Sequence, residues 1–167
     1  DAQGNPHVAY LDQTTGDLKY ARRSGGIWTR ETADGSANAV GTDASLALDA
    51  AANPHVSYFD FTTTDLKYAW KSGGVWTRET ADASANSVGR HASIALDTLG
   101  NPHVCYQDQT TFDLKYAWKS GGVWTRETAD ATNSVGWYAS LALDTEGNPH
   151  VTYMDLTTFA LKYARKT

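Results

Sequence analysis

The feature that most constrains this chain is a phrase it repeats. Asn53-Pro54-His55-Val56-Ser57-Tyr58-Phe59-Asp60 is followed by Asp65-Leu66-Lys67-Tyr68-Ala69, and close copies start at Asn5, Asn101 and Asn148. The histidines of the phrase fall at positions 7, 55, 103 and 150, a period of 48, 48 and 47 residues. Periods of about 20–50 residues mark solenoids, propellers and arrays, where one small unit buries its apolar face against the next.

Within a period there are four strand-forming runs, residues 44–49, 55–60, 66–71 and 75–80. Each alternates with period two and is rich in β-branched and aromatic residues, and no helical stripe competes with it. Ser72-Gly73-Gly74 links the third run to the fourth, and a glycine pair allows the positive φ of a tight hairpin. Pro54 and Pro102 stand at the mouth of the second run, where a missing N–H costs least. The longest link covers residues 82–91 and is rich in Ala, Ser and Asn.

Four antiparallel strands per period is the arithmetic of a β-propeller blade. The expected fold is therefore all-β, a single array over residues 1–167 with repeats near 1–40, 41–88, 89–135 and 136–167. The first repeat lacks the Ser-Leu-Ala-Leu run and the last stops after its third strand. That predicts 14 strands in groups of three, four, four and three, or about 3.5 blades.

The expected partner follows from that count, since open edges and bare blade faces invite pairing. The chain should associate with itself, most simply as a dimer in which strand 140–144 of one copy completes the first blade of another. The alternative is the remainder of a longer propeller. The chain begins at Asp1 rather than Met, as a processed form or a piece of a longer chain would.

Composition removes several function classes. The net charge is -5 and no Lys/Arg run exists, so a nucleic-acid groove is not expected. No apolar run approaches the roughly 20 residues of a membrane helix. Cys105 is the single cysteine and replaces Ala9, Ser57 and Thr152 of the other repeats, which reads as a small buried filler. Metal binding and cofactors are not expected: the repeated histidines have no second ligand at short spacing, and residues 144–148 lack the alternating carboxylates of a calcium loop. Nucleophile-elbow, zincin and Walker motifs are also absent, and nearly every Asp, Glu and His is repeated in each blade. No enzymatic activity is expected.

Comparing repeats within the chain separates scaffold from candidate site. From Asn53 and Asn101, 38 of 47 aligned positions are identical. The constant aromatics Tyr20, Tyr68, Tyr116 and Tyr163, with Trp28, Trp76 and Trp124, read as packing between blades. Arg78 and Glu79 face opposite ways on one strand, and their expected partners lie across strands, with Lys67 among them. The varying dipeptides are Thr42-Asp43, Arg90-His91 and Trp137-Tyr138. They fall in the link leading to the first strand of each blade. If that strand is innermost, they share a face with the varying links 13–16, 61–64, 109–112 and 156–159. These six residues are the candidate ligand site, with Trp137 and Tyr138 as a stacking platform for a sugar ring or a partner side chain.

The phrase Leu-Ala-Leu-Asp-x-x-Gly-Asn-Pro-His-Val-x-Tyr-x-Asp, followed by Asp-Leu-Lys-Tyr-Ala, resembles the repeats of bacterial extracellular β-propellers. The nearest groups are the fucose-lectin-like (PLL-like) and sialidase-like propellers, with an echo of the NHL repeat. The resemblance implies a secreted or cell-surface propeller that binds sugars or proteins. Ser72-Gly73-Gly74-Val75-Trp76 lacks the aspartate of a sialidase Asp box, which argues against that activity. The Trp, Arg and Glu that fucose lectins place between blades have no certain counterpart in Trp76, Arg78 and Glu79. The expected function is a non-enzymatic binding module for glycans or proteins, the alternative a recently amplified scaffold without a ligand.

Overall fold

A computed structural model describes residues 1–36, 39–84 and 87–167; Ala85 and Asn86, inside the longest link, thus lie outside the described residues. Four antiparallel sheets follow one another, each in sequence order. The first holds β1 (His7–Asp12), β2 (Asp17–Ser24) and β3 (Ile27–Asp34). The second holds β4 (Val40–Leu48), β5 (Pro54–Asp60), β6 (Asp65–Ser72) and β7 (Val75–Asp82). The third holds β8 (Val88–Leu96), β9 (Pro102–Asp108), β10 (Asp113–Ser120) and β11 (Val123–Asp130). The last holds β12 (Trp137–Leu143), β13 (Pro149–Asp155) and β14 (Ala160–Arg165). The 14 strands among the described residues make about three and a half blades, in the expected grouping. None of the described residues is helical, so no helix is long and apolar enough to cross a membrane.

The local signals act as their chemistry requires. Gly73 and Gly74 have φ of +56° and +85°, both positive as a type I′ hairpin turn demands. Adjacent blades pack face to face in three clusters. In one of them Leu66 and Tyr68 of the second blade meet Val104, Tyr106 and Ala117 of the third, with Trp124 against them. Tyr68 and Trp124 stand edge to face at 5.5 Å, and Tyr20 and Trp76 repeat the arrangement at 5.4 Å. Each buried tyrosine adds a few kcal/mol at ~25 cal/mol per Å². The clusters also carry a polar anchor: Tyr58 donates to Asp34 of the preceding blade at 2.7 Å, as Tyr106 does to Asp82 and Tyr153 to Asp130.

The first strands of the blades are the innermost. Strands β4, β8 and β12 lie side by side, and Ser45 and Ser93 hydroxyls accept from the Ile94 and Leu141 N–H of the next blade at 3.2 and 3.1 Å. Strands β3, β7 and β11 fan apart. The starts of the inner strands and the links between second and third strands share one face. Val88 N–H donates to Thr64 O of the preceding blade at 3.0 Å, and Gln109 N–H to Ser87 O within its own blade at 2.8 Å.

One expectation needs correction. Thr42-Asp43, Arg90-His91 and Trp137-Tyr138 lie inside β4, β8 and β12, not in the links before them. The register shifts there, between Val40 and Ser45, between Val88 and Ser93, and between Trp137 and Ser140. Asp43, His91 and Tyr138 take φ of +52°, +53° and +50°, the left-handed conformation of a bulged strand.

Candidate functional site

Two constellations of polar and aromatic side chains stand out, one repeated in every blade and one built once. The repeated one explains Asn-Pro-His. The Asp49 carboxylate accepts from the Ala51 and Asn53 N–H groups and the Asn53 amide at 2.9, 2.7 and 2.8 Å, which shapes the turn before β5. The His55 Nδ1 shares a 2.5 Å hydrogen bond with Tyr68 OH, and its Nε2 stands 3.8 Å from Asp49. The chain recurs as Asp1–His7–Tyr20, Asp97–His103–Tyr116 and Asp144–His150–Tyr163. It ties the turn to the third strand. Burial pushes the Tyr68 and Tyr116 phenols well up, so neither is a ready nucleophile.

Burial also lowers the His55 and His103 pKa below the ordinary value, with Asp49 and Asp97 pulling the other way. The folded state therefore holds fewer protons on these rings than the unfolded chain. Their contribution is complete above the unfolded pKa of about 6.5 and is lost as pH falls through the lower folded value. We expect the thermal midpoint to fall as pH drops below about 6.5, with each ring adding at most about 1.4 kcal/mol per pH unit. A His55→Gln, His103→Gln double variant should flatten that slope. An unchanged slope would place the acid sensitivity elsewhere.

The constellation built once gathers the bulged residues of β4, β8 and β12. Arg90 Nε reaches across blades to within 3.1 Å of Asp43 Oδ2, an ion pair whose angles leave both atoms without a directed hydrogen bond among the described residues. The Arg90 guanidinium lies over the Phe59 ring at 5.1 Å and near Phe61 at 5.9 Å. His91 packs against Trp137 and Tyr138, ring centres 5.0 and 4.8 Å apart. Arg90 Nη1 and His91 Nε2 are buried and find no hydrogen-bond partner among the described residues. Burial, and then the Arg90 charge, lower the His91 pKa against the pull of Asp43. Thr42 is half-buried on the same bulge and sits in register with Phe59.

All six candidate residues thus fall on neighbouring inner strands of one face. The Trp-Tyr pair is not uniformly exposed: Tyr138 is 70% exposed, but Trp137 is half-buried and donates to Ser134 Oγ at 3.0 Å. Phe59 is not among the residues that sequence reasoning picks out, although its replacement by Gln107 in the next repeat marks it as varying.

No family model and no curated protein matches the sequence. Solved structures do match in shape. A protein of unknown function from Dyadobacter fermentans aligns with 99% of this chain at TM-score 0.71 and 10% identity. Aleuria aurantia lectin, bound to Fucα1-6GlcNAc, aligns with 96% at TM-score 0.62 and 16% identity. A leech intramolecular trans-sialidase aligns with 98% at TM-score 0.58 and 12% identity. The chain has the propeller fold of fucose lectins and sialidases. It spans 50%, 53% and 29% of those three chains, respectively.

The propeller's charged pairs differ from expectation. Arg78 bonds Asp34 at 2.6 Å, and Lys71 and Lys119 bond Glu31 and Glu79 at 2.6 and 2.5 Å, all across blades. Lys67 instead bonds Asp65 and Thr80 at 3.0 and 2.7 Å. These pairs brace the blades' outer strands. Cys105 is buried as expected, and burial pushes its thiol up to about 12, out of reach of nucleophilic work at neutral pH. Among the described residues no group of three or more His, Cys, Asp or Glu is placed to hold a metal ion.

Proposed function

We propose that the chain is a non-enzymatic, lectin-like module that binds a glycan over the inner-strand bulges. The observation that carries this reading is the exposed Tyr138 ring, packed against His91 and Trp137 on the bulged inner strands, with the Asp43–Arg90 ion pair on the neighbouring bulges. A carboxylate and a guanidinium side by side accept from and donate to neighbouring hydroxyls. An aromatic face beside them stacks on the C–H face of a pyranose. The sugar-bound Aleuria lectin on the same fold supports the ligand class.

A glycan array with the intact chain tests the reading. Tyr138→Ala should weaken binding at least tenfold, about 1.4 kcal/mol, and leave the fold intact because the side chain is mostly exposed. Arg90→Ala should also abolish selectivity among hydroxyl configurations. Silence across the array would favour the scaffold reading, which the near identity of the two central repeats supports.

A further inference from the structure

The same side chains meet opposite fates at the two ends of the array. Leu18, Leu66 and Leu114 are 0% exposed, but Leu161 at the equivalent position is 81% exposed. Tyr20, Tyr68 and Tyr116 are 3–4% exposed, whereas Tyr163 is 56% exposed. In each internal junction this leucine–tyrosine face is covered by the next blade. Val104, Tyr106, Ala117 and Trp124 do so for Leu66 and Tyr68. The covering set exists once more, on the first blade, as Val8, Tyr10, Ala21 and Trp28. There Val8 is 43% and Trp28 39% exposed, while Val56 and Val104 are 0% exposed.

We propose that the Leu161–Tyr163 face of the last blade docks the Val8–Trp28 face of the first blade of a second copy, head to tail. The occupant is argued from the molecule itself. The chain already makes this junction three times internally, with Val, Tyr and Ala on the covering side each time and a fourth-strand Trp in the first two. The chain also spans only about half of two propellers it resembles, so two copies supply the strands of one. Docking goes through faces rather than through the loan of a strand, because β12 is already paired with β13 in its own sheet. A heterologous contact of this kind presents different patches on the two partners, and it forms rings when the rotation closes.

Light scattering on the full chain at micromolar concentration reads the assembly. The expected mass is about twice 18.1 kDa. Leu161→Asp and Val8→Asp sit at exposed positions, so both should keep the β-sheet circular-dichroism spectrum and each should run as a monomer. Mixed in equal amounts they should regain the dimer, because one wild-type face of each kind remains. A monomeric wild-type chain would overturn the proposal, as would a dimer that survives both changes. Loss of the dimer in Leu161→Asp alone, without rescue on mixing, would overturn it in favour of contact between two like faces.

Discussion

Replacing Gly89 by alanine is expected to destabilise the chain by about 3 kcal/mol, the sum of a strained backbone and an overpacked contact. Gly89 has φ of +107°, a conformation that L side chains rarely adopt. A Cβ at this position would lie 2.8 Å from Leu66 Cα and 3.1 Å from Leu66 N. Those are backbone atoms of the preceding blade and cannot swing aside. Gly100 provides the control, with φ of +81° but nothing within 4 Å of the point a Cβ would occupy. Gly100→Ala should therefore cost only its backbone strain, about 1 kcal/mol. Urea unfolding of both variants measures the difference. Equal losses would mean that the close approach between blades contributes nothing.

Leu66→Ala should cost about 2–5 kcal/mol, the range for a fully buried leucine whose surroundings relax only in part. Leu66 is wholly buried between the second and third blades. Leu161→Ala, at the same position of the repeat, should change the stability of an isolated chain by less than about 0.5 kcal/mol. The sequence around both is nearly the same, so the contrast isolates what the following blade contributes. Dilute samples should give the small value for Leu161. If the docking inferred above occurs, the loss should grow with protein concentration as the dimer forms.

How much of the fold and the site is legible in the sequence follows from how local each signal is. Strands and hairpins are legible because alternation and the Gly73-Gly74 turn act over a few residues. The inner position of the Ser-Leu-Ala-Leu strand is only an assumption in the sequence, and the packing of β4, β8 and β12 side by side establishes it. The six candidate residues are legible as a set, since they vary where the repeats otherwise agree. Their conformation is not. Val-Gly followed by two varying residues looks like a link, and only the backbone reveals a strand bulged at Asp43, His91 and Tyr138. The charged pairs escape sequence reasoning for a related reason. Arg78 and Asp34 are 44 residues apart, and no short-range pattern joins them. Phe59 escapes it because a large apolar residue on a strand reads as core until Arg90 is seen to lie over it.

The tyrosine anchors between blades carry one more consequence. Tyr58 and Asp34 are 24 residues apart, as are Tyr106 and Asp82, so each anchor joins one blade to the blade immediately before it. Stability in such an array approximates a sum of single-unit and nearest-neighbour contributions, as in a one-dimensional chain of coupled spins. Deleting or inserting one full period then leaves every surviving junction with both of its halves. Length is the property these nearest-neighbour anchors leave free to vary within the open array of a single chain, before ring closure sets the blade count.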